Sequence, residues 1–461
     1  MTTQQPSASH SSSHRPLLTN AGGMPSKVDA IIVPTNRTPA YLRTAMGVAR
    51  ELGCTLLVLC SQRASVPDTM KLAEVFGIDL VAIDVDRSQV GFLPKFKTSE
   101  LLFRKRFERK TDTSLKRNLG LLFAKVAGWQ RIVFLDDDIK VPDPQDLARA
   151  AGLAGSYAGV GLSIGGFPDN SVVCHAYRET GSFQDTFIGG GALAVGAHAM
   201  SSFFPNVYNE DWFFLLDDHG LRRTAITGRA DQKAYDPFAN DSRARTEEFG
   251  DCLAEGVFAL FDNGKRVEDA DVDYWKSFLA SRRQMITGVL DKVELARKDP
   301  AETRRMIVAL KAARGRSLLI EPQLCVDYLK ALAADRRTWR EFVEAQPVVG
   351  SPAAALTALG LWGSHRQHSA DSFVVEVGPG AGVHDLPGIQ DDEAVRQAEG
   401  EVQVLLHQQD GQADFSVEAL DRVLDLVDDR RLDTFGRLVE EQQPGASDEG
   451  PGDGQLLTLT A

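Results

Sequence analysis

Apolar runs alternate with helical patterns along the first third of the chain. Runs with the length and composition of buried strands lie at residues 28–34, 55–60, 80–85 and 131–135. Apolar residues recur at helical spacing in the segments between them, residues 39–52, 68–76 and 113–127. Strands that alternate with helices through short connections are typical of βαβ units. The pattern therefore predicts an α/β, Rossmann-like fold whose mostly parallel sheet has helices on both faces.

The pattern changes beyond residue 141. Short strands are predicted at residues 159–164, 172–176 and 192–195, and a strand end or helix start at residues 206–217. A helix is predicted at residues 247–261, and residues 274–345 have helical periodicity without a strong strand candidate. The C-terminal part contains many Pro and Gly residues and then becomes acidic, with one amphipathic helix candidate at residues 417–439.

These changes divide the chain into four predicted parts. Residues 1–26 are rich in Ser, Thr, Gln and His, lack the apolar stretch of a signal peptide, and are expected to form a disordered lead-in. The α/β domain is expected at residues 27–272 and a helical extension at residues 273–346. Residues 347–461 are expected to form a linker and a largely disordered acidic tail.

Acidic residues are concentrated in that tail. The 461-residue chain has 51 basic and 64 acidic residues, a net charge of −13. Residues 367–461 hold 21 acidic and 5 basic residues, so the remainder is slightly basic. No apolar run approaches the roughly 18 residues that span a bilayer, and the 5 cysteines include no CxxC pair. We therefore predict a cytoplasmic protein without an integral membrane segment, in a reducing compartment.

The strongest candidate for chemistry is the acidic triplet Asp136, Asp137 and Asp138, which follows a predicted strand. In parallel α/β sheets, ligands bind beyond the carboxyl ends of the strands. Asp136 and Asp138 point the same way on an extended backbone. Two convergent carboxylates suit Mg²⁺ or Mn²⁺, which would also hold a diphosphate. The alternative is an acidic turn that caps the next helix.

Three further segments fit a nucleotide-binding edge, although each is also compatible with an ordinary turn. The first strand ends in a turn, and the N-terminus of the helix that follows suits a nucleotide. The glycine run, residues 189–191, would let the backbone approach a ligand closely. An acid pair beside Trp212 suits a general base. The candidate residues in these segments are Pro34, Thr35, Arg37, Gly190, Gly191, Glu210 and Asp211.

In order and spacing, these motifs resemble those of GT-A fold nucleotide-sugar glycosyltransferases. Residues 28–217 are most similar to the large inverting family two of that class. Residues 136–138 are similar to the DxD motif of the fold, and residues 209–211, about twenty positions after the glycine run, are similar to the ED motif of the family. The resemblance implies a GT-A type domain at residues 27–272.

The resemblance also implies roles for individual residues. It implies that Asp136 and Asp138 bind Mg²⁺ or Mn²⁺, that Asp136 and Asp137 contact the donor, and that Asp211, beside Glu210, deprotonates the acceptor. The implied reaction moves a sugar from a nucleoside-diphosphate sugar to a hydroxyl acceptor, with inversion. Retention stays open as an alternative, because the ED-type acid also occurs at acceptor sites of retaining GT-A enzymes. Some GT-A enzymes use a downstream histidine as a further metal ligand, and His219 is the nearest candidate.

The identity of the nucleotide base in the sugar donor is not assigned, because Cys60–Arg63 stands where many relatives have an acidic residue that binds uracil. Asp84 and Asp86, after the third strand, are the candidates to substitute for it, and the alternative is that both only cap a turn. Residues 95–117 hold nine basic and three acidic residues, from which Lys116 and Arg117 are expected to meet the diphosphate, with Asn118 near the ribose or base. The rest of this stretch is either a solvated helix face or a docking site for an anionic acceptor, for the acidic tail or for a partner protein. Nothing in it matches a nucleic-acid recognition motif.

Three alternatives remain at the level of sequence. The first is a catalytically silent nucleotide-binding or scaffold protein that retains the fold. The second is a sugar-phosphate nucleotidylyltransferase, although the glycine-rich GxG-x-R loop of that class is missing. The third is a methyltransferase, because residues 373–382 resemble the first motif of S-adenosylmethionine methyltransferases, but too little chain follows for the rest of that fold.

Overall fold

The computed structural model describes residues 13–85, 90–295 and 299–361, and the backbone of residues 365–367. The strands in chain order are β1 (Thr19–Asn20), β2 (Ala30–Thr35), β3 (Thr55–Cys60), β4 (Leu80–Asp84), β5 (Arg131–Leu135), β6 (Ile139–Lys140), β7 (Gly159–Gly166), β8 (Ala192–Gly196), β9 (Thr224–Gln232) and β10 (His365–Gln367). The α-helices are α1 (Arg43–Leu52), α2 (Val66–Phe76), α3 (Lys97–Arg104), α4 (Thr113–Ala127), α5 (Gln145–Leu153), α6 (Val172–Glu179), α7 (Glu210–Phe214), α8 (Asp241–Asp262), α9 (Val272–Leu295), α10 (Pro300–Ser317), α11 (Pro322–Glu344) and α12 (Pro352–Ala358).

One mixed, mostly parallel sheet organises the fold, in the order β1-β9-β7-β8-β5-β2-β3-β4-β10, with β6 paired to β9. Strands β5, β2, β3 and β4 are parallel neighbours, whereas β8 runs antiparallel to β5 and β7. Because β3 and β5 lie on opposite sides of β2, the strand order reverses between β2 and β5. Ligands of open α/β sheets bind at such a reversal, beyond the carboxyl ends of the strands.

Helices cover both faces of the sheet, which confirms the α/β prediction. Helices α1, α2 and α5 bury apolar residues on one face, and α4, α8, α9 and α11 on the other. Helix α4 approaches β2 closely because Gly120 has no side chain: a Cβ there would lie 2.9 Å from Ile32 Cγ2. This contact brings the first turns of α4 to the carboxyl edge of β2. Among the described residues, no helix combines the length and apolar composition needed to cross a membrane.

The structure corrects the prediction of a disordered lead-in for residues 13–26. His14 is only 3% exposed, residues 15–17 form a 3-10 turn, and β1 pairs with β9. Burial of His14 among aromatic rings and carboxylates holds this polar segment in place. Residues 1–12 lie outside the described residues.

Two other element predictions are also wrong. Residues 172–176 form part of α6 and not a strand, because the Ser171 side chain caps the helix by accepting from the Cys174 N–H. The linker expected from residue 347 includes α12, which packs on α4 and buries Ala355, and Leu361 after this helix is also buried. The helix candidate at residues 417–439 and the motif at residues 373–382 lie outside the described residues.

Candidate active site

The acidic triplet after β5 is bound by residues at the end of β2. The Thr35 hydroxyl donates to Asp137 Oδ2 at 2.6 Å, and Arg37 Nη1 donates to Asp137 Oδ1 at 2.6 Å and to Asp138 Oδ2 at 3.0 Å. Asp137 is buried, whereas the side chains of Asp136 and Asp138 are 32% and 22% exposed. Asp137 therefore ties the two strand ends together, and its two neighbours are the accessible carboxylates.

Arg117, on α4, joins the triplet to the acid pair of α7. Its buried guanidinium donates from Nη1 to Glu210 Oε1 at 2.7 Å, and from Nη2 to the two Asp136 oxygens at 3.1 and 3.0 Å. Arg109 Nη1 donates to the other Glu210 oxygen at 2.8 Å. Burial opposes the ionisation of Glu210, but Arg109 and Arg117 outweigh it and lower the pKa of this carboxyl. Glu210 is thus an ionised structural partner and is poorly suited to act as a base.

Asp211 has a different environment from its neighbour Glu210. Its Oδ2 accepts from the Gly190 N–H at 2.6 Å, and its Oδ1 accepts from its neighbouring Trp212 N–H at 2.9 Å. Within the described part of the chain it makes no ion pair. Burial and the charge of Glu210 raise its pKa to about 6. A carboxylate of that basicity is ionised at neutral pH and able to accept a proton.

The glycine run is required by close packing. A Cβ on Gly190 would collide with the Arg117 guanidinium, and one on Gly191 would lie 3.2 Å from Asp136 Oδ2. The Gly191 carbonyl also accepts from the Asp136 N–H at 2.9 Å. The run therefore lets backbone contact both acidic motifs.

Two cavities open at this edge and share Asp136. The smaller has a volume of about 220 Å³. It is lined by Pro34, Thr35, Asn36, Arg37, Asp112, Thr113, Lys116, Asp136, Asp137 and Asp138. The larger, of about 440 Å³, is lined by Arg117, the glycine run, Tyr208, Asp211 and Trp212, among others. The residues predicted to meet the nucleotide thus line mainly the smaller cavity, and the predicted base lines the larger one.

Lys116 lies at the back of the smaller cavity. Its Nζ donates to the Thr35 carbonyl at 2.7 Å and to Ser61 Oγ at 2.6 Å, and it pairs with Asp112 at 3.1 Å. Burial lowers the pKa of this ammonium group. Lys116 therefore holds the end of β2 in place at the cavity.

The structure does not bring every predicted residue to the site. His219 is exposed, and its Nδ1 accepts from Arg266 at 3.3 Å in a turn that lines neither cavity. The structure therefore does not bring His219, the candidate for a further metal ligand, to the acidic triplet. Asn118 also lines neither cavity, because its amide exchanges two 2.8 Å hydrogen bonds with the Phe204 backbone. Asp84 is exposed at the end of β4, and Asp86 lies outside the described residues.

Sequence reasoning missed two residues of the larger cavity, His14 and Asp169. His14 Nδ1 lies 2.6 Å from Asp262 Oδ2 and its Nε2 lies 3.2 Å from Glu255 Oε2. Burial opposes protonation, but these carboxylates raise the pKa of His14 to about 9. Asp169 follows β7 in a loop. Neither residue belongs to a motif, so only the fold reveals their position.

Asp136 and Asp138 fit a hard divalent cation. Burial and the charge of Asp138 raise the pKa of Asp136, with Arg117 opposing, so the two like charges lie close enough to disfavour each other. A cation between them would relieve this repulsion, and Arg37 would have to release Asp138. Hard carboxylate oxygens are the ligands that Mg²⁺ and Mn²⁺ prefer.

A second group with metal-ligand atoms, Cys174, Asp251 and Glu255, lies beside the larger cavity, with those atoms within 4.8 Å of one another. Its carboxylates already have cationic partners, since Arg282 Nη2 donates to Asp251 at 2.6 Å and Glu255 faces His14. Burial also raises the pKa of the Cys174 thiol, which disfavours the thiolate that a metal needs. We therefore interpret this group as an ion-pair network between helices.

No protein-family model and no curated protein matches the chain. One solved structure with similarity is the mannosyltransferase PcManGT from Pyrobaculum calidifontis in complex with GDP-Man and Mn²⁺. It is 15% identical in sequence, and the match covers 76% of this chain and 91% of that chain with a TM-score of 0.35. A similarity of that degree supports no conclusion about activity.

Proposed function

We propose that the protein is a metal-dependent glycosyltransferase of the GT-A type. It moves a sugar from a nucleoside-diphosphate sugar to a hydroxyl acceptor, with inversion. The observation that carries this proposal is the position of Asp136 between two cavities, one with paired accessible carboxylates and the other with the base candidate Asp211. The order of the motifs along the chain, which resembles that of family two, supports the same assignment.

The smaller cavity suits the donor diphosphate. Asp136 and Asp138 would hold Mg²⁺ or Mn²⁺, and Thr35 and Arg37 lie beside them. When bound, the cation neutralises charge that develops on the departing nucleoside diphosphate. Arg37, released from Asp138, is placed to pair with a phosphate oxygen.

The larger cavity suits the acceptor. Asp211 would take the proton of an acceptor hydroxyl while the oxygen attacks the anomeric carbon. The Gly190 N–H fixes the orientation of the Asp211 carboxylate. Arg117 fixes Asp136 relative to Glu210, which precedes the base, so the donor and acceptor sides keep one geometry.

Turnover with a panel of UDP-, GDP- and TDP-sugars tests the proposal, with Mn²⁺ or with a chelator. We expect one donor to release nucleoside diphosphate only with metal. Asp211→Asn should lower this turnover by about 100-fold or more without loss of donor binding. Asp291→Asn, at an exposed position on α9, is the matched control. No turnover, together with no metal-dependent donor binding by the folded protein, would favour the silent scaffold.

A further inference from the structure

Not all of the charged side chains that line the larger cavity form ion pairs. Each of its cationic side chains is bonded to a carboxylate, and these cations are Arg109, Arg117, Arg243 and His14. Asp169 and Asp211 also line the cavity, but in the described part of the chain neither makes an ion pair. The charge left for a ligand to meet is therefore negative.

The two unpaired carboxylates face the same point beside Gly189. A Cβ on Gly189 would lie 3.9 Å from Asp169 Oδ2 and 4.0 Å from Asp211 Oδ2. The absence of a side chain there keeps the space between the carboxylates open. Although Asp169 is open to the cavity, enclosure by the cavity walls and the charges of Asp211 and Asp138 raise its pKa to about 7. The Gly191 backbone nitrogen also lies 3.9 Å from this point, so acceptor oxygens are the side-chain groups that the space offers to a ligand.

The larger cavity also has aromatic residues in its lining. The rings of Phe187 and Trp212 lie with centroids 4.9 Å apart and pack against His14. Both line the cavity together with the carboxylates. A volume of about 440 Å³ lies in the range of pockets that take small molecules. The lining of the cavity thus combines acceptor oxygens with an apolar surface.

We infer that the acceptor is an uncharged, polyhydroxylated compound of the sugar class, with hydroxyls bound by Asp169 and Asp211 on the two sides of Gly189. The inference rests on the proposed function and names its substrate class. At a pH well above 7 both carboxyls are ionised, and ionised carboxylates accept hydrogen bonds from hydroxyls and donate none. A phosphorylated or carboxylated acceptor would bring a like charge against both carboxylates, which is unfavourable. Asp211 takes the proton, and Asp169 positions the acceptor.

Acceptor charge, varied at a fixed donor and at a pH well above the Asp169 pKa of about 7, tests this inference. Using the donor and metal identified by the turnover panel, methyl glucoside is compared with methyl glucuronide, and methyl mannoside with mannose phosphate. We expect kcat/KM for the uncharged member of each pair to exceed that of its anionic partner by about tenfold or more. Asp169→Asn should reduce this ratio, because it removes one of the two repelling charges.

Two variants test the position of the acceptor. Gly189→Ala should be tolerated by the fold, since no protein atom lies closer than 3.9 Å to the added methyl, but it fills the space between the carboxylates. In Gly189→Ala and Asp169→Asn we expect the acceptor KM to rise about tenfold or more, with donor affinity unchanged because neither residue lines the smaller cavity. Gly47→Ala, where a Cβ meets nothing within 4 Å, and Asp291→Asn are the matched controls.

The outcomes separate this inference from the proposed function. A preference for the anionic acceptors, or an unchanged acceptor KM in both variants, would overturn the inference while donor turnover stands. Failure of the wild-type protein to bind or turn over any donor would overturn the proposed function and the inference with it.

Discussion

Asp211 accepts a 2.6 Å hydrogen bond from the backbone N–H of Gly190. This contact joins the start of α7 to the glycine run before β8. The next glycine, Gly191, accepts a hydrogen bond from the Asp136 N–H. Motifs that lie far apart in the sequence therefore form one continuous structure, with the base candidate and the candidate metal ligand at its two ends.

The environment of Asp211 predicts an acid limb in the pH profile of kcat. Its pKa of about 6 means that the base is ionised above that pH and protonated below it. Turnover should therefore fall about tenfold per pH unit below the pKa. Steady-state rates at saturating donor and acceptor measure the limb.

The Asp169→Asn variant tests whether the acid limb of the pH profile comes from Asp211 or from Asp169. Because the pKa of Asp169 is about 7, this carboxyl is mostly protonated and uncharged at the pH where Asp211 titrates, so the limb should persist near the same pH in Asp169→Asn. Loss of the limb in Asp169→Asn would assign the titrating group to Asp169 instead.

Replacement of Arg117 should destabilise the fold. Arg117→Met leaves Asp136 without its cationic partner and Glu210 with Arg109 alone, in a buried setting. We expect a loss of about 3–5 kcal/mol in the free energy of unfolding, measured by urea denaturation. Arg245→Met removes an ion pair of an arginine that is 52% exposed and should cost less than about 1 kcal/mol. Equal losses in the two variants would show that Arg117 does not organise the site.

His14 predicts a pH-dependent contribution to stability. Its folded-state pKa of about 9 lies above the ordinary value of 6.5, so its ion pairs stabilise fully below pH 6.5 and this stabilisation is lost as the pH rises through about 9. The difference in unfolding free energy between wild type and His14→Gln should shrink by about 3 kcal/mol across that range. Urea denaturation at several pH values measures it, with the exposed His198→Gln as control. A difference independent of pH would mean that His14 is neutral in the folded protein.

Much of the sheet could be predicted from the sequence. Strands β3 and β5 and helix α4 have the predicted bounds, because each is a strongly apolar or strongly periodic run. Strand β9 is not predicted from the sequence, since Ile226 is the one large apolar residue among its nine residues. Residues 172–176 were misassigned because an apolar run of five residues fits either element, and only the Ser171 cap decides.

The candidate site was only partly predictable. The triplet and Thr35 meet because parallel strands end at one edge of the sheet. The positions of the strand ends in the sequence are enough to predict this contact. His14 and Asp169 could not be found that way, since packing from distant parts of the chain places them. Residue type also could not show that Asn118 and its neighbour Arg117 have different roles. Asn118 is hydrogen-bonded to the backbone of Phe204, whereas Arg117 contacts both acidic motifs.

Calorimetric titration of nucleoside diphosphates tests the central claim most directly. UDP, GDP and TDP are titrated with and without Mn²⁺ into the wild-type protein, Asp138→Asn and the control Asp291→Asn. We predict that one nucleotide binds tightly only with Mn²⁺, at least about tenfold more weakly to Asp138→Asn, and unchanged to Asp291→Asn. Binding of none of the three nucleotides, or binding that neither Mn²⁺ nor Asp138→Asn alters, would contradict the assignment of this edge as a metal-dependent donor site.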